Sequence, residues 1–405
     1  MAQSVSDPAV SPSAGPMVAL PVARVCTDLL EVLGGVSDGR SDQGRDHPVG
    51  VVLALAAAAV VAGMRGYTAI TGWVRDVPAG VLADLYVRAG AVPAGPPSKT
   101  TIWRVLTDAD ADAFDAAIGR WLSGLAGLTT APDADGCADS PVLMQVRLDG
   151  KTIRGAKDAE GNQRHLLAAL VGPDAAHSVV AAQAEVGPKT NEVPMAAAVL
   201  GQIDLNGKIV TADALHTVKA TAKHIRERGG EFVLPVKENR RALFDALDAL
   251  AWKEVPIAHR GTDKGHGRIT TRTIQVLPAP PDLPFPHVNQ VFLVERYVSD
   301  LAGQPISAVA ALGVASPAPG RASPAELAGY VREQWSIESL HWIRDTLYQE
   351  DKSQIRTRSG PRIMAALRNL AIGALRLAGR TDITEATRWA ARRMDRPFTI
   401  LGLTP

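Results

Sequence analysis

Apolar residues recur at helical spacing from Asp28 to Leu128, and the runs break at Gly63, Pro78, Gly90 and the stretch Pro93 to Pro97, where a helix cannot easily continue. The Ala- and Val-rich run Val51 to Ala62 is too short to span a bilayer and predicts a buried helix. Ser98 predicts the cap of a further helix carrying Trp103, Val105, Leu106, Phe114, Ile118 and Trp121 on its apolar positions. Residues 28–130 therefore read as a helical N-terminal domain. The acidic, small-residue segment 131–140 reads as a linker.

Beyond it the pattern changes to short runs rich in Val, Leu and Ala. Strands are predicted over Pro141 to Asp149, Arg164 to Val171, Ser178 to Ala184, Lys208 to Asp213 and Glu231 to Val236. Helices are predicted over Glu192 to Leu205 and Val218 to Arg228. The order β-β-β-α-β-α-β argues for a mixed sheet covered by helices, so 141–239 forms the first part of an α/β core. Residues 240–318 break the alternation with strand-like pieces, Ile269 to Leu277 and Gln290 to Val298, and read as a β-rich insertion outside the main sheet. From Ser323 to about Arg393 the pattern is helical again, so 319–405 supplies the C-terminal part of the core and its helices.

An apolar fraction of 46% permits a full core, and a net charge of +1 does not by itself point to nucleic acid. Its distribution is more telling. Met1 to Ser140 holds 9 basic and 15 acidic residues, whereas Tyr330 to Pro405 holds 13 basic and 8 acidic, which suits either phosphate contacts or a solvated helical surface. Cys26 and Cys137 share no metal or redox spacing, which fits a reducing cytoplasm. Residues 1–27, rich in Ser, Pro and Ala with no signal-type pattern, read as a disordered tail.

Three carboxylates could carry chemistry, each with a plain structural alternative. Asp149 closes a predicted strand and begins Asp-Gly, the usual signature of a hairpin turn. Asp213 also ends a strand and could simply cap the next helix. Glu338 falls on a helical stripe with Val331, Trp335 and Trp342, beside a second stripe of Tyr330, Ile337, Leu340 and Leu347. A glutamate on a buried apolar stripe needs a partner, and Arg332 or Arg344 could supply a salt bridge. A metal ion is the alternative. Two strand ends facing one crevice, joined by a helix carboxylate, would suit hard oxygen-loving cations such as Mg²⁺ or Mn²⁺. His216, close after Asp213, fits a helix-start or supporting role better than a zinc site. Trp335 and Trp342 suit core packing or stacking on a base.

Several runs taken together resemble DDE transposases of the ISAs type, including the H-repeat-associated proteins. They are Leu148-Asp149-Gly150-Lys151, Val210-Thr211-Ala212-Asp213-Ala214-Leu215-His216-Thr217, Trp335-Ser336-Ile337-Glu338-Ser339-Leu340-His341-Trp342-Ile343-Arg344-Asp345 and Glu350-Asp351-Lys352-Ser353-Gln354-Ile355-Arg356. Thr190-Asn191-Glu192, Leu234-Pro235-Val236-Lys237-Glu238-Asn239, His266-Gly267-Arg268, Gly63-Met64-Arg65-Gly66, Ile70, Trp73 and Pro97-Ser98-Lys99-Thr100-Thr101 add to the likeness, which spans about Leu29 to Leu403. The signature Tyr, Arg and Lys that many relatives carry around the glutamate are replaced here by Val331, Gln334 and Asp345.

The resemblance implies an RNase H-like mixed sheet with helices on both faces, an insertion between the second Asp and the Glu, and Asp149, Asp213 and Glu338 as metal-holding catalytic residues. It implies a transposase that binds the terminal inverted repeats of its element as double-stranded DNA, cuts and rejoins strands, and works as a homo-oligomer. Lys151, Arg154, Lys237, Arg332, Arg344 and Arg356 are the candidate phosphate contacts. A catalytically silent relic and a non-transposing RNase H-like nuclease are the competing readings. All three carboxylates are present, which counts against the relic.

Overall fold

The computed structural model describes residues 28–42, 45–128, 142–158, 160–187, 191–265 and 267–404. The predicted tail 1–27, the linker 131–140, both cysteines, Thr190 and His266 lie outside the described residues.

Six helices form the N-terminal region: α1 (Leu29–Gly34), α2 (Val49–Val61), α3 (Tyr67–Arg75), α4 (Ala79–Arg88), α5 (Lys99–Asp108) and α6 (Ala111–Leu125). Every residue of α2 from Gly50 to Val61 is buried, the fate of a helix that is apolar all round. Ser98 caps α5 as predicted, its hydroxyl accepting the Thr101 N–H at 3.1 Å. The single helix expected after Ser98 is instead two. Asp110, with an extended backbone, starts α6 by accepting the N–H groups of Asp112 (2.9 Å) and Ala113 (3.1 Å), a local bond that ends one helix and nucleates the next.

The strands are β1 (Met144–Lys157), β2 (Gln163–Gly172), β3 (Val179–Val186), β4 (Lys208–Thr211), β5 (Glu231–Val236), β6 (His259–Gly265), β7 (Arg268–Pro278), β8 (Gln290–Asp300) and β9 (Pro305–Ala315). They form one sheet in the order β3-β2-β1-β4-β5-β9-β8-β7-β6. β1, β2 and β3 are antiparallel neighbours, while β1, β4 and β5 run parallel, the RNase H-like arrangement that the resemblance implies.

Helices cover both faces. On one, α7 (Glu192–Leu200), α8 (Lys219–Glu227) and α9 (Arg241–Asp248) pack on Val146, Leu148, Leu167, Ala169, Val210 and Phe232. On the other, α6 and α12 (Gly360–Leu377) pack on Ala168, Leu170 and Val179, and α10 (Pro324–Glu333) packs on Ile209 and Val233. The strict alternation of Leu167, Ala168, Ala169 and Leu170 between the two cores is the period-2 geometry of a strand buried on both sides. Helices α11 (Ser336–Thr346), α13 (Ile383–Ala391) and α14 (Asp395–Ile400) complete the chain. Among the described residues no helix is long and apolar enough to cross a membrane.

Three expectations are corrected. Asp149-Gly150 is not a turn: β1 runs on to Lys157, paired with β2 from Gln145 opposite Gly172 to Ile153 opposite Arg164. The β-rich insertion is real but does not stand outside the sheet, because β9 pairs with β5 over Leu312 to Ala315 and β8, β7 and β6 extend it from there. The stretch 330–342 is two helices with a break at Gln334 and Trp335. Glu338 accordingly does not interrupt a buried face: its stripe with Trp335 and Trp342 is exposed, and the other stripe, Tyr330, Ile337 and Leu340, is the buried one.

Candidate active site

The parallel pairing of β1 with β4 ends at Arg147 opposite Thr211, and Asp149 and Asp213 each lie two residues further on. Equal offsets past one register carry both carboxylates beyond the same end of the pair, where open α/β sheets place their sites. Asp213 has an extended backbone and accepts the Leu215 N–H at 2.9 Å, so its capping role is real and leaves its second oxygen uncommitted to that bond.

Glu338 is brought to this end by a polar clamp beneath it. Gln145 donates to Thr211 Oγ1 and to the Tyr330 carbonyl, each at 2.8 Å, and Arg147 Nε donates to the Glu333 carbonyl at 2.9 Å. Gln334 accepts from Thr211 and donates to the Leu148 carbonyl at 3.1 Å. The junction of α10 and α11 is thus pinned to the strands that bear the two aspartates, and Glu338 sits in the first turn of α11, exposed. Neither predicted arginine pairs with it: Arg332 bonds Asp263 at 3.2 Å and Arg344 bonds Glu350 at 2.8 Å.

Asp149 is half-buried, and burial, reinforced by the charges of Glu192, Asp213 and Glu338, pushes its carboxyl up to about 7. The carboxylates of Glu192, Asp213 and Glu338 therefore lie close enough to act on Asp149. Its nearest basic group is His341, with Nδ1 at 3.4 Å, but burial, with Arg344 and Lys151 nearby, pulls His341 down to about 3 and keeps it neutral. Among the described residues no three His, Cys, Asp or Glu side chains stand at metal-holding spacing, so the carboxylates do not close into a ready cluster.

Glu192 is the neighbour that the sequence reading missed. It opens α7, and its carboxylate sits between His165 Nε2 (2.6 Å) and His216 Nε2 (3.1 Å), bonds that hold it down at about 2. His165 in turn contacts Thr152 Oγ1 at 2.8 Å. This explains Gly150, since a Cβ there would lie 2.4 Å from Glu192 Oε1 and 2.6 Å from His165 Nε2. A side chain at 150 would have to push the Glu192–His165 pair aside, and the hint of Glu192 in the sequence was the run Asn191-Glu192, whose role needs the fold to be visible.

Two of the six candidate phosphate contacts are removed. Arg344 is fully buried and bonds Glu350 through both Nε (2.9 Å) and Nη2 (3.0 Å). Lys151 is buried with its ammonium on Asp345 at 2.6 Å and Asp351 at 3.6 Å. Arg154, Lys237, Arg332 and Arg356 are exposed. Trp335 and Trp342, 58% and 66% exposed, are not core residues, and Arg296 lies over the Trp335 ring at 5.8 Å.

A mixed sheet of this order, with helices on both faces, is the fold that the resemblance to DDE-type transposases implies. The chain belongs to that family: the Transposase DDE domain matches residues 145–373, and the DDE_Tnp_1-associated domain matches 30–122. Among curated relatives it is 31% identical over 242 residues to the "Uncharacterized protein in dhlA 3'region" of Xanthobacter autotrophicus, covering 58% of this chain and 76% of that protein. It is 24% identical to the "H repeat-associated putative transposase YhhI" of Escherichia coli K12, over 86% of this chain and 90% of that one. Among solved structures, the piggyBac transposase synaptic complex with hairpin DNA aligns with a TM-score of 0.40 at 11% identity, over 87% of this chain and 72% of that one.

Proposed function

We propose that this chain cuts and rejoins DNA at the ends of an insertion sequence, with Asp149, Asp213 and Glu338 holding divalent ions, Mg²⁺ or Mn²⁺. The observation that carries this is the state of Asp149: a half-buried carboxylate among the charges of Glu192, Asp213 and Glu338, with a neutral histidine beside it. A divalent cation is the partner that such an uncompensated oxygen-rich site fits. When bound, two such ions activate a water or 3′-hydroxyl and stabilise the leaving oxygen of an in-line displacement.

The protein's own groups set this up. The Gln145–Thr211–Gln334 clamp holds the strand ends and α11 in register. Glu338, exposed and long, supplies the adjustable member that can turn toward the two aspartates. Glu192, locked by its histidines, adds a fixed negative charge that favours cation binding without itself being free to move. Arg154, Lys237, Arg332 and Arg356 offer phosphate contacts, and Trp335 and Trp342 offer surfaces for a base.

The test incubates purified chain with Mg²⁺ or Mn²⁺ and labelled DNA carrying the inverted repeats that flank its gene. Nicks at the repeat ends, lost on chelation, are expected together with joined products when target DNA is added. Uncut ends in both metals would overturn the reading, and cutting without joining would favour a nuclease.

A further inference from the structure

The extension of the sheet beyond β5 carries a charge imbalance that the fold itself maintains. Arg272 of β7 stands directly opposite Arg296 of β8, and like charges so placed across a strand pair repel. Arg272 is relieved by Asp263, which bonds it at 2.7 Å through one oxygen and Arg332 of α10 at 3.2 Å through the other. Arg296 has no such relief. Among the described residues its guanidinium makes no ion pair and no hydrogen bond, and lies 5.8 Å from the centre of the Trp335 ring, which attracts a cation without neutralising it. Glu295, next to it in the chain, faces the other side of the sheet, where Thr273 donates to it at 3.4 Å.

Arg272, Arg296, Arg332 and Trp335 line a groove of about 440 Å³ between the junction of α10 and α11 and the face of β7, β8 and β9. Glu333 lines it as well, 3.9 Å from the fully buried Arg147. Both carboxylates that serve this cluster, Asp263 and Glu333, are therefore engaged, and the half-buried Arg296 is left over. Ser339 closes the groove on the α11 side and follows Glu338 in the chain, about 100° round the helix. The groove thus opens beside the proposed metal ligand.

We propose that this groove is a phosphate site, in which Arg296 holds a phosphodiester of the DNA strand that runs past Glu338. The identity of that strand rests on the transposase reading. What the groove lacks is an anion, and a phosphodiester brings one negative charge on two oxygens, which the planar fork of a guanidinium meets in parallel. The Ser339 hydroxyl, held to the Trp335 carbonyl only at 3.5 Å, can turn to add a second donor.

The test uses the full chain without metal and duplexes carrying the flanking inverted repeat, each phosphate near the cut being replaced in turn by an uncharged methylphosphonate. Arg296→Ala should weaken end binding by about tenfold or more and lower the salt slope by about 1, and Arg296→Lys should recover only part of the loss. One neutralised phosphate should weaken wild type by a similar factor and leave Arg296→Ala unmoved, which pairs the residue with that phosphate. The melting temperature of Arg296→Ala should equal or exceed that of wild type, because the substitution removes a repulsion. Wild-type affinity in Arg296→Ala, or a variant that still responds to every neutralised phosphate, would overturn the proposal and leave end cutting in Mg²⁺ or Mn²⁺ unaffected. Inorganic phosphate that saturates the Trp335 fluorescence, with no methylphosphonate felt, would assign the groove to a free anion and overturn the DNA strand. A wild type that shows the pairing but cuts no end would sink the transposase reading alone.

Discussion

At the scale of single residues, charge rather than shape distinguishes the proposed ligands from their surroundings. Asp149→Asn, Asp213→Asn and Glu338→Gln keep each outline and remove the charge that would hold the ions. Each is expected to reduce end cleavage below detection while binding to element ends, measured by band shift at fixed salt, stays within about threefold of wild type. A Glu338→Gln protein that folds and still cuts at near wild-type rate would reassign that ligand. Glu192→Gln is a subtler change. It loses the anion that His165 and His216 hold at about 2, so cleavage should fall roughly 10- to 100-fold, the usual cost of removing a group that supports ligands from behind. Titrating Mn²⁺ against activity separates the two classes: more metal should partly rescue Glu192→Gln and should not rescue Asp149→Asn.

At the scale of elements, α11 is held to α12 by a buried charge cluster. Glu350 accepts from Arg344 at 2.9 and 3.0 Å and from Arg368 at 2.7 Å, and all three are buried. The chain of bonds continues from Arg344 to Asn369 (3.3 Å), from Asn369 to Gln183 (3.0 Å) and from Gln183 to Asp115 of α6 (3.1 Å), so the helix bearing Glu338 is tied to the N-terminal helices. Burial pushes Glu350 up, but Arg344 and Arg368 prevail and hold it down at about 2. A folded-state pKa below the unfolded one contributes stability that is present above about 4.5 and lost as pH falls toward about 2. Glu350→Gln, which strands two buried guanidiniums, should cost about 3–5 kcal/mol in urea unfolding at pH 7. The gap to wild type should narrow steadily below pH 4.5, and a gap that does not change with pH would show that the charge is not its source.

For the whole molecule, the basic surplus of the C-terminal quarter is partly internal. Arg344, Arg368 and Arg376 are buried, and burial, with Arg147 nearby, pulls Arg376 down to about 10. Net charge along the sequence therefore overstates the cationic surface. Binding to DNA ends should weaken linearly in log–log plots against salt, and Arg154→Ala or Arg356→Ala should each lower that slope by about 1. Arg154 is 77% exposed and holds Asp351 only at 3.4 Å, and Arg356 is exposed, bonded to the Gly155 carbonyl at 3.0 Å and to Gln354 Oε1 beside it in the chain. A Lys237→Ala slope serves as an independent measure, since Lys237 borders the same cavity as Asp213.

What the sequence alone determined was whatever depends on local periodicity and short-range bonds: the helical N-terminal region, the Ser98 cap, strand β5 to the residue, and the order of elements that defines a mixed sheet. The motif runs around Asp149, Asp213 and Glu338 were legible for the same reason, as short strings of chemistry at strand and helix ends. The tertiary structure decided what depends on partners distant in the chain. It turned Asp-Gly from a turn into a close approach, because the space over Gly150 is filled from α7. It drew β6 to β9 into the main sheet, since four residues of β9 pair in antiparallel register with β5. It exposed the tryptophan stripe and buried Arg344, because helical spacing shows that two faces exist but not which one the sheet covers.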